Sequence, residues 1–162
     1  MEPLPFSLRV PGLDKFTFEV IASTAYTFKG LLRLDPTALR LEWTGSAHVD
    51  EVAFSGIRSE RVALPREALQ VPYPLIRSVD LRGGWLRPNL ELTGMYLDTL
   101  NSVPGEDAGY LRLWLARRDR RLARRIMVAL RESMALPAIG PRTDPPRVVS
   151  LSTPPDPPAA AG

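Results

Sequence analysis

The chain has 162 residues, 44% of them hydrophobic and 24% charged, with a formal net charge of +3. That is the balance of one soluble globular domain with a short tail. It has no Cys and a single His, which excludes a disulfide framework, a thiol nucleophile, a zinc finger and a multi-histidine metal site. No apolar run approaches the ~20 residues of a membrane-spanning helix. Of its 21 basic residues, 19 are Arg. So mild a total does not imply nucleic-acid binding, and none is expected; the distribution of charge matters more.

Met1 to Pro11 has no basic stretch ahead of an apolar core, and prolines at 3, 5 and 11 interrupt any helix. No secretory leader is expected, and with the absence of Cys this fits a cytoplasmic protein. Period two then dominates. Phe16, Phe18 and Val20 alternate with polar residues, as do Phe28, Gly30, Leu32 and Leu34, and then Leu39, Leu41 and Trp43. Between the last two runs, Asp35-Pro36-Thr37-Ala38 carries a type I turn signature and predicts a tight hairpin. Leu34 then pairs with Leu39, and Arg33 faces Arg40. Like charges so opposed are mildly destabilising and need compensation from Glu42 or from an anionic ligand.

From Gly45 to Ser59 the pattern weakens and reads as a loop or a short irregular strand. Strands resume near Arg61 to Leu64 and Leu69 to Tyr73, the latter demoted to an edge or bulged strand by Pro72 and Pro74. Ile76 to Leu81 is the next, followed by an Arg82-Gly83-Gly84 turn and by Leu86 to Thr93. After a turn-rich stretch from Pro104, Leu111, Leu113 and Leu115 alternate with Tyr110, Arg112 and Trp114.

One segment has period 3.6. Asp119 is a suitable N-cap, and Leu122, Ile126, Ala129, Leu130 and Ser133 share one side. Arg120, Arg124 and Arg131 fall opposite. The helix runs to about Met134, before Pro137. Residues 137–162 hold eight of the 17 prolines and few apolar residues, so they read as a disordered tail. The expected fold is mainly β: a curved antiparallel sheet or partly open barrel of about seven strands, capped by one C-terminal helix.

Three stretches carry a resemblance. Lys29 to Leu34 with Leu39 to Trp43, then Val71-Pro72-Tyr73-Pro74-Leu75-Ile76, and finally Trp85 to Leu92 with Leu111 to Asp119 resemble a pleckstrin-homology-like (PH-like) domain of bacterial type. The resemblance covers roughly Phe28 to Leu136. It implies a PH-like domain over 1–136, with 1–27 as an N-terminal extension carrying an extra strand. It also implies a binding role. Lipid-binding members carry several bases in a longer first hairpin loop, whereas this loop has Asp35 and no base. Headgroup-specific phosphoinositide binding is therefore not expected.

His48, beside Asp50 and Glu51, reads as an exposed loop histidine and not as a general base, since no nucleophile motif accompanies it. The acid pairs Asp50-Glu51 and Glu106-Asp107 lack the multi-ligand spacing of a calcium loop. Gly83-Gly84 lacks any phosphate-loop context. No catalytic, cofactor or metal site is predicted. The candidate anion or partner surface comprises Lys29, Arg33, Arg40, Arg112, Trp114, Arg120, Arg121 and Arg124. Trp114 is either an exposed anchor or packed under the N-terminal segment. The expected function is a non-enzymatic module recruiting a protein or peptide partner. The alternative is weak, non-specific association with anionic membrane through the Arg-rich helix and Lys29, Arg33 and Arg40.

Overall fold

A computed structural model describes residues 2–16, 20–53, 56–135 and 147–150. Eight strands and one α-helix follow in the order β1 (Leu4–Phe16), β2 (Val20–Leu34), β3 (Ala38–Ala53), β4 (Gly56–Pro72), β5 (Ile76–Arg82), β6 (Asn89–Gly94), β7 (Tyr110–Trp114), α1 (Arg120–Ala135) and β8 (Arg147–Ser150). Short 3-10 turns, Tyr73–Leu75 and Arg117–Asp119, precede β5 and α1. The strands form one antiparallel sheet in the order β5-β6-β7-β1-β2-β3-β4-β8. Among the described residues the edge strands β5 and β8 do not pair with each other, so the sheet does not close. The fold is mainly β with one C-terminal helix, as the alternation and the single amphipathic stretch predict.

The β2–β3 hairpin has the expected register, with Leu34 opposite Leu39 and Arg33 opposite Arg40. Its turn is pinned from outside: the Tyr73 hydroxyl donates to the Asp35 carbonyl at 2.5 Å. Leu39, Leu41, Leu69 and Val71 alternate inward and are buried. Burying a Leu or Val side chain is worth roughly 1.5–3 kcal/mol. Two aromatic rings lie across glycines in the neighbouring strands. Phe6 sits over Gly30 and Phe28 over Gly45, and a Cβ at either glycine would overlap the ring.

α1 lies along β5 and seals this core with Leu122, Ala123, Ile126 and Leu130. Ala129 and Ser133 are half-buried on the same side, so the expected face is the one presented. Arg131 departs from the expected cluster with Arg120 and Arg124. It reaches back over β5 and donates to the Val79 carbonyl at 2.9 Å and to Asp80 at 2.6 Å.

Three other placements differ from the sequence reading. Gly45 to Ser59 is no loop: it comprises the far end of β3 and the start of β4, with 54–55 outside the described residues. His48 therefore stands on a strand. The two strands read near Arg61 and Leu69 are one, β4, with a bulge opposite Trp43 and Gly45. Pro65 and Arg66 occupy that bulge, and the inward parity changes there from Val62 and Leu64 to Leu69 and Val71. Residues 1–27 supply β1 and much of β2, and β1 lies inside the sheet between β7 and β2.

Of the Pro-rich segment 137–162, Arg147–Ser150 pairs with Glu67–Gln70 of β4 as an eighth strand; the rest lies outside the described residues.

Candidate anion-binding face

The eight candidate residues do not form one surface. On the outer face of the first hairpin, Arg33 and Arg40 flank Glu42, which is buried beneath their side chains. The Arg40 Nε lies 2.9 Å from the Glu42 carboxylate and Arg33 4.0 Å, while Arg66 from β4 donates at 2.5 Å. Burial alone would push the Glu42 carboxyl up. The hydrogen bond from Arg66 and the charges of Arg40, Arg66 and Arg33 outweigh it and hold the group below the ordinary carboxylate range. The repulsion between Arg33 and Arg40 is thus compensated internally, by the first of the two routes expected. Lys29 lies further along β2 in an open depression of about 400 Å³, with Arg61 and Thr27 among its lining.

Arg112 and Trp114 stand on β7 on the same outer face as Lys29, with Ser7 of β1 paired to both Lys29 and Trp114 and lying between them. Arg112 pairs with Glu91 of β6 at 3.2 Å and donates to the Tyr110 hydroxyl at 3.0 Å. Its guanidinium also lies 5.8 Å from the Trp114 ring centroid. Trp114 is half-buried, and its backbone pairs with Ser7 of β1. It stands beside the N-terminal strand, part way between the two readings of its role.

The third group is different in kind. The chain enters α1 through Arg117–Asp119, which brings the helix start against the β5–β6 turn. Gly83 makes that turn possible: its φ is +78°, and a Cβ there would overlap the Arg87 carbonyl. Trp85 follows, and the Arg117 guanidinium lies 3.8 Å from its ring centroid. This is close cation–π contact. Trp85, Arg117, Arg120, Arg121 and Arg124 line a cleft of about 320 Å³. A wider hollow of about 680 Å³ adjoins it along Ala116, Arg117, Arg118 and Arg121. Trp85 and Leu86 are 56% and 64% exposed, so the cations surround a protruding apolar knob.

Among the described residues, no carboxylate pairs with Arg117, Arg120, Arg121 or Arg124. The nearby Asp119 lies 3.8 Å from Arg118. Positive charge at a helix N-terminus also opposes the helix dipole. An anion in the cleft would relieve both conflicts. The cluster keeps Arg120, Arg121 and Arg124 of the expected set and adds Arg117, from the same run of arginines, and Trp85, neither of which is in that set. A Trp directly after a Gly-Gly turn was the available signal, since a tight turn leaves a large ring little to bury against.

His48, Asp50 and Ser59 do converge. The His48 Nε2 and the Ser59 hydroxyl lie 3.2 Å and 2.5 Å from the same Asp50 oxygen. The acid is in the middle, so no base reaches the hydroxyl, whereas a nucleophilic triad needs the imidazole between the other two. Glu106 accepts from the Gly109 amide and closes its own loop. Among the described residues, no group of three His, Asp or Glu could hold a metal ion, and no helix is long and apolar enough to cross a membrane. Comparison with family models, curated proteins and solved structures finds no match for this chain.

Proposed function

We propose that the chain is a non-enzymatic, PH-like binding module that recruits a protein partner by docking an acidic segment on the Trp85–Arg124 face. The PH-like assignment draws support from the strand order. One meander, β1 to β4, and a second, β5 to β7, meet through the β1–β7 pair, and a single helix closes the core. The observation that carries the binding role is the set of unneutralised arginines around an exposed Trp. Arg and Trp are the side chains most enriched at interface hot spots. The guanidinium fork matches carboxylates bidentately.

The test is titration of the full chain with a Glu-rich peptide, followed by Trp fluorescence. Saturable, salt-sensitive binding is expected, weakened about tenfold or more by combined Arg121→Glu and Arg124→Glu. Binding unchanged by that pair would overturn the proposal. A second reading is favoured by Leu86. An exposed Leu beside a Trp, ringed by cations, also suits the interface of an anionic bilayer. Leu86→Ser separates the two, since it should reduce binding to phosphatidylglycerol vesicles and leave peptide binding unchanged.

A further inference from the structure

We infer that two copies of the chain pair through the outer edge of β4, antiparallel, with Ser59 on the two-fold axis. Among the described residues β8 covers that edge at Glu67–Gln70, and the bulge at Pro65 and Arg66 interrupts it next. From Gly56 to Leu64 the outer edge of β4 has no strand partner among the described residues. From Gly56 to Ala63 both faces are open as well, with Ile57 78% exposed. A strand edge is a row of unpaired backbone donors and acceptors, and monomeric proteins blunt it with prolines, bulges or like charges. Here Pro65 and the bulge protect the inner half, while the outer half carries mixed charges.

Those charges select a register. A two-fold axis perpendicular to the sheet keeps the same face of both copies on the same side, so each such register is centred on one residue. With Ser59 at the centre, Arg58 of each copy lies opposite Glu60 of the other, giving two opposite-charge pairs. Within each chain Arg58 and Glu60 already stand 3.4 Å apart, so the four side chains form one alternating ladder. On the other face Ile57 lies opposite Arg61, whose aliphatic stem can cover it, and Val52 pairs with Ile57 from β3. Centres at Arg58, Glu60 or Arg61 would set each of those charges against its own copy. The Ser59 register is the one among these four that the charges favour.

Sedimentation equilibrium of the full chain tests this. The mass should rise with concentration from 18.0 kDa toward twice that value. Arg58→Glu or Glu60→Arg alone should raise the dimer dissociation constant about tenfold or more, and the two together should restore it. Both side chains are exposed, and circular dichroism verifies that each variant folds. Because the chain has no Cys, Ser59→Cys supplies a sole thiol on the axis, and mild oxidation should link two copies covalently. Arg121→Glu should leave association unchanged, which separates this edge from the Trp85 face. A mass fixed at one copy, single variants without effect, a double swap that fails to restore pairing, or a Ser59→Cys chain that does not cross-link would each overturn the inference.

Discussion

One strand, β4, runs through two regions with opposite environments. On one side of the bulge, Leu69 and the neighbouring Leu39 and Leu41 of β3 face a core that α1 seals, and each is at most 1% exposed. Beyond the bulge at Pro65 and Arg66, β4 continues in an arm in which every one of its residues from 56 to 63 is exposed. Hydrogen bonding is alike in both; burial is not. Backbone pairing thus extends a strand well past the point where hydrophobic contact holds it, and the arm depends on its neighbours for its shape. Its local opening should be cheaper than that of the covered half, since few apolar contacts oppose it.

The largest expected effect is at the seal. Ile126 is fully buried beneath α1, so Ile126→Asp sets an unpaired carboxylate against the core. Such burial belongs to the few single changes that exceed ~4 kcal/mol. Arg124→Asp, on the exposed side of the same helix, should shift stability by no more than about 0.5 kcal/mol. Denaturant melts of the two variants decide the matter, and equal losses would mean that the helix face is misassigned.

The contrast between the halves of β4 comes next. Leu69 is 1% exposed and Val62 45%, although both point to the inner side of one strand. Leu69→Ala should cost about 2–5 kcal/mol as a core cavity. Val62→Ala should stay within about 0.5 kcal/mol, there being little around it to leave empty. A Val62 cost approaching that of Leu69 would show that the arm is packed in solution.

Glu42 tests the outer face of the covered half. Its folded pKa lies below the unfolded value, so its contribution is complete above that value and is lost as pH falls through the folded one. Stability should therefore decline in acid below about pH 4.3, the ordinary Glu value. Glu42→Gln should remove part of that decline. At neutral pH it should cost about 1–2 kcal/mol, a modest figure because the arginines around it are half-exposed. Melting temperature against pH for the two proteins is the measurement, and parallel curves would exclude Glu42 as a source of the acid loss.

The division between the halves also explains what was legible beforehand. Leu39, Leu41 and Trp43 alternate with Arg40 and Glu42 because one face meets the apolar core and the other carries the charged side chains, and such a strand announces itself. Ile57-Arg58-Ser59 faces water on both sides, and in Gly45-Ser46-Ala47-His48 the one buried side chain is the small Ala47, so no apolar alternation marks either stretch, and they read as a loop or a short irregular strand. The bulge at Pro65 hid the continuity of β4 by changing the inward parity midway. The helix was legible through Leu122, Ile126 and Leu130. The site was legible only in part. Arg120, Arg121 and Arg124 stand out as charges, but their meeting with Trp85 depends on how α1 lies along β5. The neutralisation of Arg33 and Arg40 depends likewise on Arg66, brought in from β4.

The smallest expected effect is a null one, at the first hairpin. A phosphorylated inositol headgroup needs several converging cations or backbone donors to replace its hydration. Arg33, Arg40 and Arg66 converge, but on Glu42, whose carboxylate already occupies the position an anion would take. Lys29 lies apart with Arg61 and adds too little charge to hold such a group. Vesicles matched in surface charge but differing in headgroup should therefore bind alike. What attraction remains should come from the arginines around Trp85, and Arg33→Ala should not change it. It should fade as salt shortens the Debye length from ~10 Å at 0.1 M to ~3 Å at 1 M. Salt-resistant preference for one inositol phosphate, lost in Arg33→Ala, would show that the hairpin releases Glu42 to take a ligand. The two faces would then exchange roles, with the hairpin as the specific site and the Trp85 cleft as the generic one.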